Sequence, residues 1–444
     1  MEIPQNNTKR RDSLLFKLIA IALLMGVSLA ASFSVLGLVI ERSHRSDEAI
    51  REIASAWSRE QTITGPVIAI PLQTTVITST GQTTTQENNI FLLPDTLTYD
   101  ISVDTETRSR GIFEAAVYTS RITGTGSFNL DDVDRTHIDG IVQWDNATVF
   151  IGIPDTRGVE SSAVLLWNGE EIIFEPGVPR NSIEASGISV PLNIQPLKKE
   201  HMFSFDIILR GSEAIYIAPL GKTTDVSISS NWPAPSFTGA FLPKEHNLTD
   251  AGFTAKWNVS SFGRSLPQSW VESATGHDQT IKEHIVNSLF GVSLNHGVDF
   301  YTQVNRSVKY SVLFIALTFL VFFMFEVLSQ LRVHPLNYLL IGLAIALFYL
   351  LLLSLAEHVG FLSAYSISAI AITGLITGYA RSVLKAKKKA GIIAVLLSVL
   401  YSYLYILLQL DEFSLLFGSL FLFAILAIVM YLTRNIDWYG IGER

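Results

Sequence analysis

The sequence predicts a mixed membrane protein: an α-helical membrane block of six spans, divided one plus five, with a large antiparallel all-β domain inserted after the first span. Three observations predict it. Residues 18–40 carry no charge and are almost wholly apolar, residues 310–432 are nearly continuously apolar, and the stretch between them is polar and written in short β-branched runs. A hydrocarbon core about 30 Å thick takes about 20 apolar residues at 1.5 Å each, a length the first run alone meets. At 48% hydrophobic residues the whole chain suits such a mixture better than a soluble globule or a bare bundle.

The chain opens on a short basic tail, 1–17, followed by the first span, 18–40. Ser28-Leu29-Ala30 resembles a signal-processing site. The apolar stretch continues to Ile40, past the length of a signal core, so an uncleaved anchor is expected. Residues 41–61 keep helical spacing, with Ile50, Ile53, Ala54 and Trp57 on one side. This extension is expected to dock on the domain and to stop at Gly65-Pro66.

The β-rich domain is expected over 62–300. Candidate strands fall at 67–72, 74–80, 89–93, 97–103, 112–118, 140–144, 148–153, 163–167, 171–174, 203–209, 214–217, 225–229 and 253–259. Asn168-Gly169 marks a two-residue hairpin, because both positions of that turn need positive φ. Residues 262–300 are poorer in pattern, with a weak helix at 277–287, and read as a return linker. The linker 301–309 leads to five spans, at 310–328, 336–355, 361–380, 390–410 and 413–432, and a tail at 433–444.

Charge sets the orientation. Residues 41–309 are net −12 and the remainder net +4. Lys9, Arg10, Arg11 and Lys17, the Arg381 to Lys389 loop, Arg332 and Arg434 share one face, while the opposite short loops hold neither Lys nor Arg. The positive-inside rule places both termini in the cytoplasm and exports the domain, whose own charges count little because long domains translocate regardless. Its acidity excludes nucleic acid as a partner.

Catalytic motifs are weak. The sequence has no cysteine, which removes thiol chemistry and disulfides. Gly221-Lys222-Thr223 lacks the glycine a phosphate loop needs five residues earlier, where Tyr216 stands. No Gly-x-Ser-x-Gly occurs, and the nine histidines show no metal-ligand spacing. No catalytic residue, cofactor or metal is expected, and the chain reads as a non-enzyme. Ionisable groups near the membrane weigh more, since charge in hydrocarbon is costly unless paired or wet. Glu326, Glu357 and His358 are the candidates, with interfacial pairing of Glu326 to Arg332 or Arg434 preferred over proton relay. Gly374 and Gly378 permit close helix approach, preferably inside the bundle. Tyr401, Tyr403, Tyr405, Trp438 and Tyr439 read as interface anchors.

Specific words also point to a family. They are Phe325-Glu326 followed by Arg332-Val-His334-Pro335-Leu-Asn-Tyr338, Ser354-Leu-Ala-Glu357-His358-Val-Gly360-Phe361, and Thr433-Arg434-Asn435-Ile436-Asp437-Trp438-Tyr439. In the domain, Thr64-Gly65-Pro66, Asp155-Thr-Arg157-Gly158 and Asn231-Trp232-Pro233 through Phe237 and Phe241-Leu242-Pro243 join them. Together these resemble the CreD family of bacterial inner membrane proteins, also called cell envelope integrity proteins. The resemblance implies a Gram-negative inner membrane location, a periplasmic domain, and a role in envelope integrity and stress response with tolerance to colicins and β-lactams. It carries over no catalytic residue and no cofactor.

The polar positions expected to matter are therefore Glu326, Arg332, His334, Glu357, His358, Arg434 and Asp437 in the membrane block, with Asp155, Arg157 and Trp232 in the domain. Pro335 suits the first turn of its helix. Trp232 and Phe237 are expected in an ordered loop against the sheet, and Arg434 and Asp437 can pair three apart on a helix. Partners expected are the lipid bilayer and an envelope component or membrane protein bound by the domain. The alternatives are a transporter or flippase for an amphiphile, which needs a hydrated cavity lined by Glu326, Asn337, Glu357 or His358, and an envelope hydrolase.

Overall fold

The computed structural model describes residues 8–77, 83–134, 140–179, 183–272, 279–294, 300–329, 333–384, 386–410 and 413–434. The chain divides into two compact units, Met1–Ser46 with Val298–Arg444, and Asp47–Gly297. The helices among the described residues are α1 (Thr8–Trp57), α2 (Asp131–Asp134), α3 (Gln279–Ser288), α4 (Phe300–Lys309), α5 (Ser311–Ser329), α6 (Pro335–Val359), α7 (Phe361–Leu384), α8 (Lys387–Gln409) and α9 (Ser414–Thr433). α1 gives its first part to one unit and its last eleven residues, from Asp47, to the other.

In the first unit, α1, α6, α7, α8 and α9 are each long and apolar enough to cross a membrane. A further crossing results if α4 and the apolar part of α5, bent by 41° at their junction, count as one span. α6 is the hub, with Ile341, Ile345, Phe348, Tyr349 and Leu352 buried along it, whereas the side chains described on α9 are all at least partly exposed. Its start follows from local chemistry: Pro335 occupies the first turn, and His334 caps it by accepting the Leu336 N–H on Nδ1 at 3.3 Å. On α8 the buried stripe runs Ile393, Leu397, Leu400, Tyr401, Leu404 and Leu408, a helical period. Tyr401 is thus a core residue and not an interface anchor. Its ring packs on Phe314 and Phe348, and Tyr365 donates to its carbonyl at 2.7 Å. Tyr403 instead stacks on Phe421 at 3.9 Å and donates to the Phe417 carbonyl. Trp438 and Tyr439 lie outside the described residues.

The second unit is a pair of packed sheets. One holds eight strands in the order Glu245–Thr249, Gly252–Ser260, Thr223–Ser230, Thr96–Arg110, Phe113–Asn129, Glu200–Ser212, Val159–Trp167 and Glu170–Ile173. The other is built on Gln61–Ile77, flanked by Ala214–Ile217, Ala147–Gly152 and Thr83–Leu92. Strict alternation sends Leu97, Tyr99, Ile101 and Val103 inward and their neighbours outward. Contacts between the sheets include Trp257 against Phe290, and Tyr99, whose hydroxyl donates to the Gly65 carbonyl. Asn168 and Gly169 make the hairpin turn at φ 52° and 92°, with Trp167 opposite Glu170.

Four expectations are corrected. The sheets are mixed and not purely antiparallel, since 61–63 pair in parallel with 215–217 and 96–103 with 223–230. Alternation reveals which face a strand buries, not the direction of its neighbour. The helix ends at Trp57, and Gly65-Pro66, a cis peptide, lies within the strand Gln61–Ile77. The 262–300 stretch is no linker: Ser269–Glu272 and Phe290–Ser293 are sheet strands, too short to show periodicity, with α3 between them. Phe237 belongs to a third such strand, Ser236–Gly239, and not to a loop.

Gly126 shows how tightly neighbouring strands of the eight-stranded sheet fit. A Cβ there would collide with the Thr96 carbonyl oxygen and lie 2.7 Å from the Phe203 ring. Gly126→Ala is expected to cost about 1–3 kcal/mol by overpacking, read as a lowered unfolding midpoint of the full-length protein. An unchanged midpoint would mean that the strand pair is looser than described.

Candidate functional site

The carboxylates singled out in the membrane block are each held by a cation from α1. Glu357, near the end of α6, receives Arg42 in a two-point fork, Nε to Oε1 at 2.7 Å and Nη2 to Oε2 at 2.5 Å. Tyr301 of α4 donates to the same Oε1 at 3.0 Å. Glu326, near the end of α5, pairs with Lys17 and also accepts the Val333 N–H and the Tyr338 hydroxyl, both at 3.2 Å. Both carboxylates are enclosed, their side chains 7% and 11% exposed. Forked and multiply bonded geometry is what makes enclosing such a charge tolerable.

Between the two cations, α1 presents a seam. Lys17, Ile21, Ser28, Ser32, Val35, Val39 and Arg42 follow one another at intervals that sum to whole turns, and Ile21, Ser28, Ser32, Val35 and Val39 are buried. The serine hydroxyls bond back to the Leu24 and Ser28 carbonyls, so neither is stranded there. Ser28 meets Gly342 of α6, where a Cβ would collide with the serine hydroxyl. This is the close helix approach, and not Gly374 or Gly378. Both of those lie on the exposed side of α7, and a Cβ added at either would meet nothing within 4 Å.

The remaining membrane candidates have local duties. His358 is exposed and bonds the Ser354 carbonyl, and His334 caps α6. Asn337 accepts from the Tyr379 hydroxyl at 2.7 Å. Arg434 stacks over the Tyr431 ring at 4.1 Å and does not pair with Glu326. Arg332 and Asp437 lie outside the described residues, so the expected Arg434 to Asp437 pair does too. Tyr338, bonded to Glu326, and Glu357 are 19 residues apart on α6, about 28 Å along its axis. The two carboxylates therefore line no common cavity.

In the second unit, the Asp155 to Gly158 word holds the end of α1. Asp155 caps the turn Thr156–Gly158 by accepting the Arg157 N–H and takes the Arg157 guanidinium at 2.8 and 2.7 Å. It also accepts the Arg59 N–H, while Arg157 donates to the Ser55 carbonyl. Gln61 ties Ser58, Asp155 and Arg210 together through one amide nitrogen. The Arg108 and Arg210 guanidinium groups lie over the Trp57 ring, 3.9 and 5.0 Å from its centre, and the indole N–H donates to the Tyr118 carbonyl. Trp232 is 8% exposed and bonds the Ala234 carbonyl, while Phe237 packs edge-on to Phe253 and Trp257. Among the described residues, no group of three or more His, Asp or Glu is placed to hold a metal.

Sequence reasoning finds the carboxylates but not Lys17, Arg42, Ser28 or Gly342 as their setting. The signal is there in outline: Lys17 and Arg42 bracket the apolar run and share the spacing of its serines.

Two outcomes are expected. Arg42→Met leaves the enclosed Glu357 carboxylate without its cation and should cost about 2–3 kcal/mol, less than a fully buried pair because the Arg42 side chain is 33% exposed, while Arg42→Met with Glu357→Leu should lose far less. Thermal unfolding in detergent of the native chain and both variants checks this, and a neutral single substitution would remove the pairing argument. The Arg157 guanidinium foremost, against partial burial and with help from the Arg59 N–H, holds the Asp155 carboxyl down to about 2. A carboxyl lowered in the folded state stabilises above its unfolded value near 4, and that stabilisation fades as pH falls toward 2. The stability gap between the native chain and Asp155→Asn should thus be full above about pH 5 and close on acidification. A gap independent of pH would contradict it.

Comparison with known proteins places these words in a family. A family model for the inner membrane protein CreD matches residues 13–439. The inner membrane protein CreD of Escherichia coli K12 is 32% identical over 410 residues, which covers 90% of this chain and 88% of that one. A solved structure of a Legionella pneumophila protein described as nutrient binding aligns with 40% of this chain and 68% of its own, at 9% identity and a TM-score of 0.24.

Proposed function

Because the chain belongs to the CreD family of inner membrane proteins, we propose that it is a non-catalytic envelope protein whose membrane block anchors a periplasmic domain that binds an envelope component or partner. In this reading six spans cross the membrane, α5 supplying the second and α4 leading into it from the periplasmic side, both termini are cytoplasmic, and residues 41–309 face the periplasm. The protein contributes to envelope integrity and to tolerance of envelope-directed agents through what the domain binds.

One observation supports the anchoring role above a transport path. The two membrane-block carboxylates that a path would use are each closed by an α1 cation and a tyrosine hydroxyl. A group that must exchange protons or solutes needs access to water, whereas a group that fastens a helix needs saturation. The distinctive words of the domain are likewise engaged in internal bonds, at Asp155, Arg157 and Trp232. Recognition is left to its outer surfaces.

The naturally cysteine-free chain makes the topology directly testable. A single cysteine at Leu242, 73% exposed, should react with an impermeant maleimide in intact spheroplasts, and one at Lys388 only after lysis. The reverse pattern would invert the scheme. A photo-activatable residue at Arg157 or Leu242 in living cells should then capture an envelope glycan or an identified envelope protein. Capture of phospholipid alone would favour the transport alternative.

A further inference from the structure

The outward face of the eight-stranded sheet carries a row of short polar side chains that the fold does not use. Ser229 lies opposite Ser102 on one side and Thr254 on the other, and Asn247 lies opposite Thr254. Four adjacent strands thus present four hydroxyl or amide groups in line, roughly 14 Å from end to end at about 4.8 Å per strand. None of these side chains makes a hydrogen bond within the described residues.

The row floors an open depression of about 480 Å³, with Asp104 and Asn231 also lining it. Asn231 is locked: its amide nitrogen donates to Asp104 Oδ1 at 3.0 Å and to the Thr105 carbonyl at 3.1 Å, while its oxygen accepts from the Thr105 N–H and hydroxyl. Asp104 is thereby oriented, with its second carboxylate oxygen left to accept from a ligand.

The chemistry narrows the occupant. Among the described residues that line the depression there is no Lys or Arg, so a phosphate or carboxylate would meet Asp104 with no counter-charge. The aromatic in the lining, Phe253, is 3% exposed and offers no floor to an acyl chain. A ligand rich in hydroxyl groups satisfies both needs, donating to Asp104 and trading hydrogen bonds with the row. The neighbouring row, by contrast, carries Asp100, Ser227, Lys256 and Glu245, the charges of an ordinary solvated sheet face. From this geometry we infer that the depression binds an uncharged glycan segment, which deepens the periplasmic-binding reading and rests on it for its biological setting.

The test uses full-length protein in nanodiscs, with tri-N-acetylchitotriose and maltotriose as probes and inorganic phosphate as the charged comparator, followed by calorimetry. At least one oligosaccharide should bind and phosphate should not. Asn247→Ala and Thr254→Val, both at exposed positions, should each weaken binding about fivefold, the worth of one hydrogen bond. Thr125→Ala, exposed on the same face outside the depression, should leave it unchanged. Failure of both sugars, binding of phosphate, or affinity indifferent to Asn247 and Thr254 would each overturn the assignment. Purified protein gives this result whichever side of the membrane the domain occupies, so it fails or stands apart from the topology experiment.

Discussion

Two ion pairs at the ends of one apolar helix are the constraint on which the membrane unit depends. Lys17 and Arg42 bracket the charge-free part of α1, and each is met by a carboxylate from another helix, Glu326 and Glu357. In a low-dielectric setting an enclosed charge without its partner is costlier than no charge at all. The pairs therefore act less as a source of stability than as a register: α1 can sit against α5 and α6 in the position that satisfies both. Lipid offers no hydrophobic drive for helices to associate, so register has to come from such polar contacts and from close packing. Ser28 against Gly342 supplies the second of these midway along the span.

The same economy of polar contacts governs the end of α1 in the β-rich unit. Helix termini leave backbone groups without partners, and here Arg157 reaches the Ser55 carbonyl while Asp155 takes the Arg59 N–H. Trp57 takes two guanidinium groups over its ring and donates to a strand carbonyl. The residues that look most like a site in the sequence, a carboxylate beside an arginine, prove to be joinery. The inner faces of the sheets are apolar and closed, so surface chemistry is concentrated on the outward face of the eight-stranded sheet, where short polar side chains stand in rows.

Legibility follows the range over which each signal acts. The hairpin at Asn168-Gly169 is readable because two adjacent residues decide its backbone, and the strand Ala214–Ile217 because its apolar run is uninterrupted. Ser236–Gly239, Ser269–Glu272 and Phe290–Ser293 are not, since four residues cannot display a period and their pairing partners lie far away in sequence. Tyr401 resembles an interface anchor in the sequence because three tyrosines at every second position suggest a surface belt. On a helix Tyr403 points away from the other two, and of Tyr401 and Tyr405, four apart on one face, only Tyr401 falls on the fully buried stripe.

Partition is written along the chain itself: which stretches suit lipid, which suit a sheet, and which carboxylates near the membrane demand an explanation. Hydropathy and alternation are sums over neighbours in the chain, so they are complete before folding. Who answers those carboxylates emerges only on folding, as do the mixing of parallel with antiparallel pairs and the alignment of Ser102, Ser229, Thr254 and Asn247. Most of these are meetings of residues tens to hundreds of positions apart, and no local pattern encodes the partner of a side chain that distant.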